Sequence, residues 1–257
     1  MLDAFVWGLV QGLTEFLPIS SSGHLVLVPA FLSKVGINVG DPDLAITAVL
    51  HLGTLLAVLA YYRTDILDVL RHPTDPRSRR LIFLVTIGTI PALVGLPLRG
   101  VLEEFEESPR LVGMALVATG LILLVGSRWA DGQRRLESGR TMDAVAVGCA
   151  QALALVPGIS RSGSTITAAL MRGFDRQEAA RYSFLLAIPA IAGGGLISLI
   201  DVAGTSISLG PVIVGVVVAA VAGYAAISFL IRLLVSRGLG PFVGYCLVVG
   251  TAAIALL

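Results

Sequence analysis

The chain has 257 residues, of which 56% are hydrophobic and only 14% charged, with a mean hydropathy of +0.90. A soluble domain carries about a quarter charged residues, and a fold of this length cannot hide so much apolar surface from water; composition therefore excludes a soluble domain and leaves an integral membrane protein with several helical spans. The net charge of +1 combines seventeen Arg with a single Lys, Lys34, so no lysine-rich patch or basic tail is available for nucleic acid. Cys149 and Cys246 both lie in apolar stretches, which supports neither a disulfide framework nor a cysteine metal site.

The N-terminal stretch is apolar but begins with Asp3, and Gln11 and Glu15 interrupt it; this is not the pattern of a signal peptide and is expected to belong to the mature fold. It ends in a Ser-rich tip, Ser20 to His24. Three expected spans follow, Asp43 to Tyr62, Leu81 to Leu98 and Arg110 to Gly126. Next comes Asp143 to Met171, whose middle carries Ser160, Arg161, Ser162, Ser164, Thr165 and Thr167. The last three spans are Tyr182 to Ile200, Pro211 to Ile231 and Phe242 to Leu257, each close to hydrocarbon thickness. Pro91 and Pro189 sit inside spans, where kinks are expected.

Basic residues set the sides. Five Arg fall in Arg63 to Arg80, four in Ser127 to Met142, three in Arg172 to Arg181 and two in Arg232 to Pro241, so fourteen of seventeen loop cations share one side, the cytoplasmic one. Two consecutive basic loops flank Asp143 to Met171, which must then enter and leave on the same side. Being too polar for two crossings, it is expected to form a re-entrant hairpin.

Shifting the chain by 140 residues lays Asp3 to Gly23 over Asp143 to Gly163 with 9 of 21 positions identical, an internal repeat. Each copy precedes three spans. The expected fold is therefore an all-α polytopic membrane protein, one domain over residues 1–257, with repeat 1 at about 1–126 and repeat 2 at about 143–257. It has an inverted topology with six transmembrane helices and two re-entrant helical hairpins, whose polar tips would meet at the bilayer midplane.

The tips carry the chemistry. Gln11, Glu15, Ser20, Ser21, Ser22 and His24 occupy the first, and Ser160, Arg161, Ser162, Ser164 and Thr165 the second. A guanidinium, hydroxyls and exposed N–H groups at new helix starts form an anion site suited to phosphate. Ionisable groups at the bilayer centre cost about 2.5–3.5 kcal/mol even on the lenient scale, so Glu15 and Arg161 point to function before structure; His51, alone in a span, is read as structural. Hydrolysis and anion transport both fit such a site. His24, three positions after Ser21, favours hydrolysis, because binding alone requires no nucleophile with an acid/base neighbour.

The two motifs, Gln11-x-x-x-Glu15 followed by Pro18-x-Ser20-Ser21-x-Gly23-His24, and Pro157-Gly158-x-Ser160-Arg161-Ser162-x-x-Thr165, resemble those of the undecaprenyl-diphosphate phosphatase family tied to bacitracin resistance, and the likeness covers essentially the whole chain. The resemblance implies a phosphoric anhydride hydrolase of the plasma membrane. Its substrate would be a long-chain polyprenyl diphosphate, whose terminal phosphate is removed to give the monophosphate carrier for peptidoglycan and other envelope synthesis. It also implies a divalent cation, Mg²⁺ or Ca²⁺, and an opening toward the extracytoplasmic face. Carried over residue by residue, it places catalysis at Glu15, Ser21, His24 and Arg161. Substrate binding falls to Gln11, Ser20, Ser160, Arg161, Ser162 and Thr165, and the metal to Glu15. Ser21 is the first choice of nucleophile with His24 as its acid/base partner, or His24 is itself the nucleophile. Gln11 replaces the first acidic residue of the motif, so a two-carboxylate metal site is not expected. The type-2 phosphatidic-acid-phosphatase superfamily, which shares a Ser-Gly-His string, is set aside because its Lys-bearing motif is missing. The alternative is a polyprenyl-phosphate transporter on the same scaffold; a homo-oligomer is allowed by the sequence and not required by it.

Overall fold

The computed structural model describes residues 1–37, 44–129, 132–201 and 209–257. Among these residues it is helical, with no β-strand. The helices are α1 (Leu2–Phe16), α2 (Ser21–Lys34), α3 (Leu44–Tyr61), α4 (Arg63–Arg71), α5 (Pro76–Thr89), α6 (Gly95–Glu106), α7 (Pro109–Ser127), α8 (Thr141–Leu153), α9 (Arg161–Met171), α10 (Arg176–Asp201), α11 (Leu209–Arg237) and α12 (Gly240–Leu256).

Four stretches are long and apolar enough to cross a membrane: Pro76–Leu98, Pro109–Ser127, Arg176–Ser198 and Leu209–Arg237. They coincide with four of the six expected spans. The other two fall on shorter apolar helices, Val49–Tyr61 and Gly240–Leu256, and Asp43 lies outside the described residues. With large apolar side chains such as Leu98, Val221 and Val248 exposed on helix surfaces, the molecule is an all-helical, multi-pass membrane protein. Pro91 breaks its span as expected: residues Ile90–Val94 form a 3-10 segment between α5 and α6. Pro189 sits inside a continuous α10.

Three segments counted as basic loops, Arg63 to Arg80, Arg172 to Arg181 and Arg232 to Pro241, are largely helical. Asp75 caps α5 by accepting the Arg77 N–H at 2.8 Å, with Pro76 in the first turn. Helix α10 begins at Arg176, earlier than hydropathy indicates, and its first turns are held by Arg181, which pairs with Asp65 of α4 and with Glu178.

Close helix contact comes from glycine. A Cβ added at Gly8 of α1 would lie 2.9 Å from the Gly215 carbonyl oxygen of α11, and one at Gly148 of α8 only 2.5 Å from the Gly88 carbonyl oxygen of α5. Gly8 and Gly148 are equivalent under the 140-residue shift, and each lets the first helix of its hairpin sink onto a helix of the other half. The outer ends of α8 and α9 lie side by side. Asp143, fully buried, accepts from Arg172 Nε at 2.6 Å and Arg134 Nη2 at 2.7 Å. The connector before α8 pairs with the one after α9, Arg134 N–H donating to the Gly173 carbonyl at 2.9 Å and Asp175 N–H to the Arg134 carbonyl at 3.0 Å.

Candidate active site

Both tips are built alike. Helix α1 stops at Phe16, and residues through Pro18, which lacks an N–H, lead to Ser20. Ser20 caps α2 by accepting the Gly23 N–H at 3.2 Å. Helix α8 stops at Leu153; after Pro157 and Gly158, the latter at φ +93°, Ser160 caps α9 by accepting the Gly163 N–H at 3.1 Å. Each cap serine also contacts the hydroxyl two residues on, Ser20 to Ser22 at 3.3 Å and Ser160 to Ser162 at 3.2 Å. One difference breaks the likeness: Ser20 has φ +69°, a region L side chains rarely adopt, whereas Ser160 is extended at φ −74°.

The tips touch. Ser162 Oγ donates to the Leu17 carbonyl at 3.1 Å, and Gly23 packs against Gly158 so tightly that a Cβ on Gly23 would lie 3.2 Å from the Gly158 Cα. Between them is a cavity of about 270 Å³ whose wall includes Glu15, Ser20, Ser21, Ser22, His51, Ser160 and Arg161, closed on one side by Ile191, Gly194 and Ser198 of α10. The first residues of α2 and α9, Ser21 and Arg161, both reach it. Two helix N-termini therefore converge on one hollow, where their unpaired N–H groups favour an anion.

Glu15 organises the wall. Its Oε1 accepts from Arg161 Nη2 at 2.7 Å, and its Oε2 accepts from Ser21 Oγ at 2.6 Å and Gln11 Nε2 at 3.0 Å. The second Arg161 terminal nitrogen, Nη1, is buried with no hydrogen-bond partner among the described residues. A buried, unpaired guanidinium N–H costs free energy unless a ligand accepts from it. Ser21, held against a carboxylate, has a proton acceptor in place.

The residues expected from sequence divide into two sets. Glu15, Ser20, Ser21, Ser160 and Arg161 line the cavity. Gln11, Ser162, Thr165 and His24 stand behind it: Thr165 Oγ1 donates to the Arg161 carbonyl at 2.7 Å and meets Ser183 Oγ at 2.7 Å. Ser21 is hydrogen-bonded to Glu15, not to His24, because the ring nitrogens of His24 are turned to the Ser20 carbonyl at 2.7 Å and the Tyr245 hydroxyl at 2.6 Å. Three contributors were not expected at the site from the sequence, in which His51 had a structural reading and Thr119 and Tyr245 had no role. His51 lines the cavity, its Nδ1 donating to the Thr47 carbonyl at 2.8 Å. Thr119 of α7 steadies the second tip, donating to the Gly158 carbonyl at 2.9 Å and accepting the Ser160 N–H at 3.0 Å. Tyr245 reaches His24 from α12. Each is a lone polar residue in an apolar helix, and periodicity gives such residues no signal.

Glu15 is the one carboxylate on the wall, and among the described residues no group of three or more His, Cys, Asp or Glu is arranged to hold a metal ion. The donor set therefore does not suit an all-protein metal cage. It does suit a hard cation resting on one carboxylate and phosphate oxygens, and the buried Gln11 Oε1 beside Glu15, without a hydrogen-bond partner, is a spare oxygen donor. A larger cavity of about 510 Å³, bordered by Asp65, His72, Arg77 and Arg181, holds none of the motif residues and mixes both charge signs.

The family model described as Bacitracin resistance protein BacA matches residues 4–252. The chain belongs to this family. Relatives named undecaprenyl-diphosphatase include proteins of Nocardioides sp., 41% identical over 268 residues covering all of this chain and 96% of the relative, and of Trichlorobacter lovleyi, 41% identical over 271 residues covering all of this chain and 97% of the relative. That of Geobacter sulfurreducens is likewise 41% identical, covering all of this chain and 98% of its own length.

Proposed function

We propose that this chain is an undecaprenyl-diphosphatase that removes the terminal phosphate of a long-chain polyprenyl diphosphate. The observation that carries the reading is the Ser21–Glu15–Arg161 set on one cavity wall, with an unpaired Arg161 N–H left for an anion. The relatives' names speak for hydrolysis and give the transporter alternative no support.

The diphosphate head enters the cavity while its lipid tail lies along the exposed apolar helices. Arg161, with Ser160 and the N–H groups at the start of α9, binds the phosphates and takes up charge in the transition state. Ser162 and Thr165 hold the tip that presents Arg161, Ser162 through the Leu17 carbonyl and Thr165 through the Arg161 carbonyl. Ser21 Oγ attacks the terminal phosphorus as Glu15 accepts its proton. The bond from that phosphorus to the bridging oxygen breaks, and the lipid monophosphate leaves. Protonated Glu15 passes that proton to the leaving lipid monophosphate; water then attacks the phosphoserine and gives its proton by way of Glu15 to Ser21 Oγ as the phosphorus–Oγ bond breaks and inorganic phosphate leaves. Glu15 and Gln11 are the residues that would hold a divalent cation, Mg²⁺ or Ca²⁺, whose contribution is to neutralise phosphate charge.

The architecture supports an inverted-topology repeat of six crossings and two re-entrant hairpins. The helix breaks before Ser21 and Arg161 are equivalent, and α1 packs on α11 of the other half as α8 packs on α5. In this reading the α8–α9 hairpin enters from the cytoplasmic side of the plasma membrane, as the Arg-rich segments flanking it favour, and the α1–α2 hairpin enters from the opposite side. The product would then be the carrier lipid reused in cell-wall synthesis.

Release of inorganic phosphate from undecaprenyl diphosphate by the purified protein in detergent, with and without a chelator, tests this reading. Release that a chelator suppresses is expected. A protein that binds the lipid and releases no phosphate under either condition is a carrier and not this enzyme.

A further inference from the structure

His24 is buried at 6% exposure and does not line the cavity, yet both of its ring nitrogens are engaged. Nδ1 lies 2.7 Å from the Ser20 carbonyl oxygen, which can only accept, so Nδ1 carries the proton. Nε2 lies 2.6 Å from the Tyr245 hydroxyl. In a neutral ring Nε2 is then the acceptor and Tyr245 O–H the donor. An imidazolium would place a charge in a buried site with no carboxylate at either nitrogen, a costly arrangement. The two rings also stack, with centroids 5.6 Å apart and planes 14° from parallel.

What His24 grips is the strained point of the tip. Ser20, at φ +69°, has its carbonyl held twice by His24, through the backbone N–H at 3.2 Å and Nδ1–H at 2.7 Å. A residue in this conformation persists only when its surroundings overdetermine it. Ser21 follows directly, so the direction of its Oγ depends on that turn. Tyr245 belongs to α12, at the far end of the chain, and its ring is partly exposed.

We propose that Tyr245 is a positioning residue of the active site: its hydroxyl fixes the His24 tautomer, His24 braces the Ser20 carbonyl, and the braced turn aims Ser21 at Glu15. This rests on the phosphatase reading for its consequence, but the brace itself is a property of the folded chain. It gives His24 a role at Ser20, one residue away from the proton transfer at Ser21.

Two measurements on the full-length protein in detergent test the brace. The first is nitrogen-15 NMR of labelled histidine, with the His24 signal assigned by its loss in His24→Asn. The expected spectrum shows His24 protonated at Nδ1, and Tyr245→Phe shifts it toward a mixture of tautomers. The second is phosphate release from undecaprenyl diphosphate. In His24→Asn the carboxamide nitrogen occupies the place of Nδ1 and keeps the donor to Ser20, so activity stays within about tenfold of the parent. In His24→Gln the nitrogen falls near Nε2, the turn is freed, and kcat drops about 100-fold. Tyr245→Phe lowers kcat about tenfold with KM unchanged, since the hydrogen bond that fixes the His24 ring is lost. A His24 protonated at Nε2 overturns the proposal. So does a His24→Asn enzyme as inactive as His24→Gln beside a Tyr245→Phe enzyme equal to the parent. If the parent protein releases no phosphate, the functional reading fails, and the tautomer measurement still decides the brace.

Discussion

Arg161 and Glu15 are 146 positions apart in sequence and meet at 2.7 Å, their side chains only 15% and 8% exposed. The contact joins the tips of two hairpins and leaves one edge of each group for other work: Glu15 Oε2 holds Ser21, and Arg161 Nη1 is unpaired. A pair that served stability alone would be expected to satisfy both ends of the guanidinium, because breaking or half-satisfying a buried ion pair is costly.

Glu15→Gln keeps the shape of the side chain and removes both the proton acceptor at Ser21 and the charge opposite Arg161. Its kcat falls by roughly 10²–10⁴, the range of a lost general base, while KM does not rise, since Arg161 is freed to meet the phosphates. Steady-state phosphate release separates the two parameters. A variant with the parent's kcat would take Glu15 out of the proton transfer.

Ser21→Ala reduces phosphate release to background. Acid quench of the parent enzyme during turnover, followed by mass spectrometry, is expected to find phosphate on the Ser20–Ser22 peptide at Ser21. Phosphate on His24 in its place would transfer the nucleophile to the imidazole.

His51 donates Nδ1–H to Thr47 and so keeps Nε2 for the cavity it lines. Truncation in His51→Ala lowers kcat/KM about tenfold, as loss of one hydrogen bond to a charged ligand does. Inhibition by inorganic pyrophosphate provides a second readout and weakens in parallel. Unchanged inhibition would place the ring out of reach of the diphosphate.

Gly148→Ala introduces a Cβ 2.5 Å from the Gly88 carbonyl oxygen, an atom of backbone that cannot swing away. Helices α5 and α8 must part, at about 1–3 kcal/mol for overpacking of this kind. The thermal unfolding midpoint in detergent drops accordingly. A midpoint equal to the parent's would show that the α5–α8 contact is looser than drawn.

Legibility in the sequence followed physical type. Spans reveal themselves through hydropathy, and the tips through polar residues placed where lipid makes them expensive; Glu15, Ser20, Ser21, Ser160 and Arg161 all reach the cavity wall. Helix ends were less readable. Helix α4 and the starts of α5 and α10 are polar segments held helical by the Asp75 cap and by the pairing of Arg181 with Asp65 and Glu178, local devices to which a hydropathy window is blind. Nor could spacing tell that the hydroxyl of Ser21 turns back to Glu15 while His24 turns toward α12. That choice depends on Ser20 adopting a positive φ, and on Tyr245 arriving from 221 residues away.

Phosphate release by Arg161→Lys bears most directly on the whole account. Lysine keeps the positive charge but loses the planar fork that holds Glu15 with one nitrogen and offers the other to phosphate. The purified variant is expected to hydrolyse undecaprenyl diphosphate at least about 100-fold more slowly than the parent, as when a transition-state donor is removed. Turnover equal to the parent's would mean that the guanidinium at the meeting point of the two tips takes no part in the reaction.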